Sequence, residues 1–199
     1  MLVASFIMGR DVHAEAIVTK AKDTDVPLGD RAVEAVKSIV REYYDESMLS
    51  DVVYDENEGG LSTTPVGRGN AIKGKITVGK YFIEHIDAFA RRVLQVGHEL
   101  QHVQQERDGL RRHRNQDKRE FLAHSWGALE PEKTGTGLLP DAQRREMIDA
   151  ALGYFNCLGE DEKNGFAERK AELLRQREGV NGTRGNASTQ PPTQCRRVN

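Results

Sequence analysis

The sequence is poor in cysteine, tryptophan and long apolar segments. It has two cysteines and one tryptophan in 199 residues, which excludes a disulfide-rich scaffold and a metal site built only from cysteine ligands. No apolar segment approaches the roughly 20 residues of a membrane-spanning helix, and the mean hydropathy is −0.65. These absences predict a water-soluble globular protein without a membrane span.

The sequence also lacks an excess of charge of either sign. Its 29 basic and 31 acidic residues give a formal net charge of −2, so no long-range field attracts nucleic acid or an anionic membrane. We therefore expect no nucleic-acid partner. The short apolar start has neither a basic leader nor a small-residue cleavage pattern, so no classical signal peptide is predicted. Cytoplasmic residence is the default expectation, and delivery as part of a larger secreted polypeptide is the alternative.

The length is typical of one domain, which we predict to cover residues 1–178. Residues 179–199 contain glycine, asparagine, threonine and proline with almost no apolar residue, and this composition predicts a disordered tail. The hydrophobic periodicity before the tail predicts an α+β fold with a small, mostly antiparallel sheet and a mainly helical C-terminal half. Helices are predicted at residues 30–43, 87–109, 119–130, from 140 and at 161–178, with strands at 12–20, 49–56 and 71–78 and a loop at 56–70.

The segment AIKGKITV, residues 71–78, alternates apolar side chains with lysine and threonine. Lysines on one side and an internal glycine are typical of a strand at the edge of a sheet. We therefore predict an edge strand that packs on the helix following it.

The helix predicted at residues 87–109 contains the sequence GHELQHVQQE, in which His98, Glu99 and His102 form an HExxH pattern. Residues four apart share one face of a helix, so the two imidazoles can bind a single ion. Glu99 is offset by about 100°, which places it beside a water on that ion. Zinc lowers the pKa of such a water to about 7, and the glutamate accepts its proton and passes it to the leaving amine. The pattern is typical of zinc hydrolases.

Chance is the first alternative for this motif. With six histidines in the chain, an HExxH pattern arises by chance in about one sequence in a hundred. Two hydrogen-bonded histidines on an amphipathic helix would then explain it. However, Leu94, Val96 and Val103 flank the motif, which predicts a half-buried helix where adjacent polar groups need partners. We therefore interpret the motif as a zinc site.

A catalytic zinc needs a third protein ligand and one open position. Glu120, on the next predicted helix, is the first candidate, and its alternative role is a capping box with Asp117 at the helix start. His124 lies one turn further and is an alternative ligand, a residue that orients a ligand, an oxyanion donor or a satisfied half-buried histidine. Tyr154 is a candidate oxyanion donor, although a core role is the more common one for such a tyrosine.

With these residues the sequence resembles the zincin metallopeptidases, in particular the gluzincin branch, where a glutamate on a later helix follows HExxH. The resemblance implies that His98, His102 and Glu120 bind Zn²⁺ and that Glu99 is the general base. It also implies a zincin-like fold and a peptide or protein substrate. In zincins the edge strand pairs with extended substrate, which implies substrate binding by Lys75, Ile76 and Thr77.

Two shorter similarities bear on the function. The string HELQHVQQE resembles the HExxH helices of metallopeptidase domains attached to bacterial polymorphic toxins and secretion-system cargo. The string EGGLS before HELQH resembles the EGCLS motif of peptide deformylases, but Gly60 stands where that family has its metal-binding cysteine. The predicted function is zinc-dependent hydrolysis of peptide bonds. The alternatives are a non-catalytic binding module on the same scaffold and a deformylase-like zinc amidohydrolase.

Overall fold

The computed structural model describes residues 2–111, 115–129 and 139–180, with side chains from residue 12 onward. Within these ranges eight α-helices accompany a sheet of three strands, so the α+β class predicted from the sequence is confirmed. None of the described helices combines the length and apolar composition that crossing a bilayer requires. The helices are α1 (Leu2–Ala21), α2 (Leu28–Tyr43), α3 (Lys80–Glu84), α4 (Phe89–Arg107), α5 (Gln116–Leu129), α6 (Asp141–Asn156), α7 (Glu160–Gly165) and α8 (Ala167–Gly179).

The sheet is mixed, with the strand order β1-β3-β2. β1 (Leu49–Tyr54) runs parallel to β3 (Lys73–Val78), and β2 (Leu61–Val66) runs antiparallel to β3. The predictions of a mostly antiparallel sheet and of an edge strand at residues 71–78 are therefore wrong. Lys73 and Lys75 are exposed and alternate with buried residues of the same strand, so they mark the open face of the sheet rather than its edge.

Three local predictions need correction. Residues 12–20, predicted as a strand, belong to α1, because Ile17 and Ala21 are one turn apart and both are buried against the core. Residues 56–70, predicted as a loop, contain β2. The helix predicted at 161–178 is interrupted at Phe166, which separates α7 from α8 and packs against the core formed by the C-terminal helices.

One hydrophobic core, which we call the first core, lies between the sheet and the helices α2 and α4. Helix α4 contributes Val96, Leu100 and Val103, whose spacing of four and three residues forms one stripe. Gly74 lets this helix lie close to β3, because a Cβ atom there would be 2.6 Å from Val103 Cγ2. The close contact fixes the position of α4 over the sheet.

A second core lies among the C-terminal helices α5, α6 and α8. Its fully buried side chains include Phe121, Ile148 and Leu173. Val180, placed in the disordered tail by the sequence prediction, is only 4% exposed and follows α8 directly. The rest of the predicted tail lies outside the described residues. Helices α4 and α5 are in contact, so the two cores meet where the HExxH helix packs on its neighbour.

Candidate metal centre

The histidines of the HExxH motif lie on one face of α4 and point at the same volume. His98 Nε2 and His102 Nε2 are 3.1 Å apart. Their rings are nearly perpendicular, with an interplanar angle of 87°, so the nitrogens converge while the rings do not stack. The helical spacing of four residues produces this convergence.

Glu120 extends from α5 toward the same two nitrogens. Its Oε2 atom is 3.2 Å from His98 Nε2, and its Oε1 atom is 3.4 Å from His102 Nε2. The capping alternative for this glutamate is wrong, because α5 already begins at Gln116 and the Arg119 N–H donates to the Asn115 carbonyl. Glu120 thus lies in the second turn, where its carboxylate is free to face α4.

The spacing of these ligand atoms fits a tetrahedral zinc ion. With zinc–nitrogen and zinc–oxygen distances of about 2.0–2.1 Å, two ligand atoms of a tetrahedron are about 3.3 Å apart. The two nitrogens are 3.1 Å apart, and each has a different Glu120 oxygen near it, Oε2 at 3.2 Å from His98 and Oε1 at 3.4 Å from His102. In the part of the chain that the structure describes, no other group of three potential ligands converges in this way. Two imidazoles and one carboxylate are also a donor set that zinc prefers, and they leave its fourth position open.

A cleft of about 210 Å³ opens next to the three ligand atoms. Strand β2 forms one wall, and helices α4 and α5 form the others. Glu99 lines the cleft together with all three predicted ligands, as the HExxH geometry requires. The lining residues are Leu61, Ser62, Thr63, Pro65, His98, Glu99, His102, Gln116, Arg119 and Glu120.

Burial and mutual contacts shift the pKa values of the two carboxyl groups in opposite directions. Burial raises the pKa of the Glu99 carboxyl above its usual range, although the neighbouring histidines oppose the rise. For Glu120, burial also favours the neutral acid, but the contacts with His102 and His98 outweigh it and hold the pKa well below its usual range. Burial alone would lower the pKa of His102, yet the contact with Glu120 raises it. Glu120 is thus the anionic member of the cluster.

His124 and Tyr154 lie beside this cluster. The centroid of the His124 ring is 4.5 Å from that of His98, and its other neighbour is Tyr154, stacked at 5.4 Å with an interplanar angle of 14°. Burial, helped by the charge of His98, lowers the pKa of His124 to about 3, which keeps the ring neutral. His124 does not belong to the converging ligand group, and neither residue is among those that line the cleft. The structure therefore places both behind the ligands.

The residues predicted to bind substrate lie elsewhere. Lys75 and Thr77 are on the open face of the sheet, and Ile76 is 0% exposed within the first core. The backbone of β3 pairs with strands on both sides, so it offers no edge to a peptide. The strand that lines the cleft at the edge of the sheet is β2.

Gln105 is a site residue that the sequence prediction missed. Its side chain is buried, its Oε1 atom is 2.9 Å from His102 Nδ1, and its Nε2 atom donates to the Arg119 carbonyl at 3.0 Å. The helical spacing of the sequence could have identified this residue. Gln105 follows His98 by seven residues, which places it on the same face of α4 as both histidines.

Arg119 links the start of α5 to the C-terminal end of α4. Its guanidinium group contacts the Glu106 carboxylate and donates to the Leu110 carbonyl at 2.6 Å. It is also buried, with 5% exposure. The residue next to Glu120 is thereby fixed to the end of α4, which holds the carboxylate near the histidines.

Comparisons of the chain with protein-family models, with curated proteins and with solved structures give no match. The cluster lies in one small region, formed by α4, the first turns of α5 and strand β2.

Proposed function

We propose that this protein is a zinc-dependent hydrolase that cleaves peptide bonds in the cleft between β2, α4 and α5. The observation that carries the proposal is the convergence of two imidazole nitrogens and a carboxylate at 3.1–3.4 Å, with a second carboxylate beside them. Metal binding alone would need only the two imidazoles and the first carboxylate. The presence of Glu99 in the wall of the same cleft favours catalysis.

The proposed ligands are His98, His102 and Glu120. When bound, zinc supplies a Lewis acid that polarises the scissile carbonyl and makes water a stronger acid. The single negative charge of the ligand set leaves the bound cation with a net positive charge, which favours attraction of a carbonyl oxygen. The zincin resemblance of the sequence agrees with this ligand set.

Glu99 is the proposed general base. It lines the cleft but is not a member of the ligand group, so its carboxylate is available to accept a proton from the attacking water. It then delivers that proton to the leaving amine nitrogen, which completes the hydrolysis without a net proton change on the protein. Burial raises its pKa, and a more basic carboxylate is better matched to this transfer near neutral pH.

Strand β2 is the proposed binding surface for an extended peptide. The Gly79 N–H donates to the Gly60 carbonyl at 2.7 Å, and the antiparallel register continues as Leu61 opposite Val78 and Thr63 opposite Ile76. In such a ladder the backbone groups of alternate residues point away from the partner strand. Leu61 and Thr63 therefore direct their N–H and C=O groups to the free edge, where a substrate strand can pair.

The substitution Glu99→Gln tests the mechanism. It keeps the shape of the side chain but cannot accept a proton, so we expect peptide hydrolysis to fall by at least about 100-fold. Zinc content should stay near that of the unchanged protein, because Glu99 is not a proposed ligand. Cleavage of a mixed peptide library, read by mass spectrometry, and metal analysis of the same preparation provide the two measurements.

The matched control is Glu178→Gln, which makes the same chemical change at an exposed position on α8. It should preserve both zinc content and hydrolysis. Equal activity of the Glu99→Gln and Glu178→Gln proteins would contradict the proposed mechanism. Stoichiometric zinc without hydrolysis of any library peptide by the unchanged protein would favour the non-catalytic binding module instead.

A further inference from the structure

We infer that Gln105 is a positioning residue that selects the tautomer of His102 and so turns the unprotonated Nε2 atom toward the ligand cluster. The metal-binding consequence rests on the proposed function. The tautomer itself follows from hydrogen-bond chemistry and can be tested without a metal.

The hydrogen-bond partners of Gln105 determine which of its amide atoms faces His102. A backbone carbonyl can only accept, so the group that lies 3.0 Å from the Arg119 oxygen must be the amide NH₂. The amide oxygen then faces His102 Nδ1 at 2.9 Å. Because an amide oxygen can only accept, Nδ1 must carry the proton. In the neutral ring this leaves the lone pair on Nε2, the atom that is 3.1 Å from His98 Nε2.

The same side chain also connects the two helices that carry the ligands. Arg119 directly precedes Glu120, so the hydrogen bond to its carbonyl fixes the backbone of α5 beside the carboxylate. Gln105 is 6% exposed, so water does not compete effectively for either hydrogen bond. Partners of this kind, which hold the second nitrogen of a ligating histidine, commonly contribute about 10- to 100-fold to metal affinity.

Two substitutions separate the tautomer role from a purely structural role. Gln105→Met keeps the length and burial of the side chain but removes both hydrogen bonds. Gln105→Glu keeps an acceptor for His102 Nδ1 and removes the donor to the Arg119 carbonyl. Gln104→Met, on the same helix, is the control, because the Gln104 amide bonds only the exposed Asp108 side chain among the described residues.

We expect Gln105→Met to weaken zinc binding by about 10- to 100-fold, measured by competition with a chromophoric chelator. Gln105→Glu should lose distinctly less, and Gln104→Met should bind as the unchanged protein does. If Gln105 only joined the helices, the Gln105→Glu protein would lose as much zinc affinity as the Gln105→Met protein. That result, or unchanged affinity in Gln105→Met, would overturn the inference.

A second measurement applies to the unchanged protein and does not depend on the folding of any variant. In metal-free protein at alkaline pH, long-range ¹H–¹⁵N NMR correlations report which ring nitrogen of His102 carries the proton. We expect His102 to be the Nδ1–H tautomer, and the Nε2–H tautomer would refute the inference. If the unchanged protein binds no zinc, the proposed function fails, but the NMR result still decides the role of Gln105.

Discussion

The side chains between α4 and α5 bring three groups with electron-pair donors together at one place. The Nε2 atoms of His98 and His102 are 3.1 Å apart, and each has an oxygen of the Glu120 carboxylate within 3.4 Å. Buried polar atoms need partners, and one divalent cation would satisfy all three donors at once. Glu120, whose pKa is held low, supplies the negative charge that such a cation needs.

His124 should make the metal-free protein sensitive to acid. Its pKa falls from the usual 6.5 to about 3 because the folded protein buries the ring. The unfolded chain binds a proton as the pH falls below about 6.5, but the folded chain does not, so folding stability decreases between about pH 6.5 and pH 3. From this group alone we expect a loss of about 2–3 kcal/mol between pH 7 and pH 4.

The substitution His124→Phe tests this expectation, since it keeps an aromatic ring against Tyr154 but removes the titrating nitrogens. Urea unfolding of both proteins at pH 7 and pH 4, with a chelator present, gives the measurement. The variant should lose less free energy of unfolding than the unchanged protein over this interval. The same pH dependence in both proteins would show that His124 is not held neutral in the fold.

The spacing of the motif was enough to predict which residues of α4 face the site, because helix geometry alone places residues 98 and 102 on one face. The sequence could not exclude a capping role for Glu120. That choice depended on where α5 begins, and Gln116 starts it four residues before the glutamate. Gln105 was missed because its role depends on a carbonyl from another helix.

At the scale of elements, Gly97 sets the distance between α4 and α5. A Cβ atom at this position would contact the Tyr44 hydroxyl and would lie 2.5 Å from Trp126 Cη2 on α5. The Tyr44 hydroxyl cannot move away freely, because it donates to the Val93 carbonyl at 2.7 Å. The side chains of Tyr44 and Trp126 thus leave no room for a Cβ atom on the residue before His98.

We expect Gly97→Ala to lower the free energy of unfolding by about 1–3 kcal/mol through overpacking. It should also weaken zinc binding, because the helices must separate beside His98. The control is Gly179→Ala on α8, where an added Cβ atom meets nothing within 4 Å, so its stability should stay the same or rise slightly. Urea denaturation of both variants measures the free energy of unfolding. A Gly97→Ala protein as stable as the control would contradict the packing described for α4 and α5.

The strands show where local sequence patterns are insufficient. The lysines of β3 predicted an edge strand, but they alternate with Ile76 and Val78, which are buried in the first core. Exposure on one face and exposure at an edge produce the same alternation in sequence. Residues 56–70 were predicted as a loop from their glycine, proline and asparagine content, yet they contain β2, and a strand at the edge of a sheet tolerates Pro65. Strand order depends on contacts between distant residues, which periodicity does not report.

At the scale of the whole molecule, the candidate metal centre lies where the two hydrophobic cores meet. His98 and His102 belong to the helix that packs on the first core, and Glu120 precedes Phe121, a buried residue of the second core. A cation held by all three would join the two cores, and its binding would stabilise the folded state by mass action. A cation bound there would therefore couple metal binding to the packing of α4 against α5.

The most direct test of this account is a crystal structure of the protein with zinc, with anomalous diffraction measured at the zinc absorption edge. We expect one peak per chain, about 2.0–2.2 Å from His98 Nε2, His102 Nε2 and a Glu120 carboxylate oxygen. Imidazole rings turned away from each other, or no anomalous peak between α4 and α5, would contradict the account.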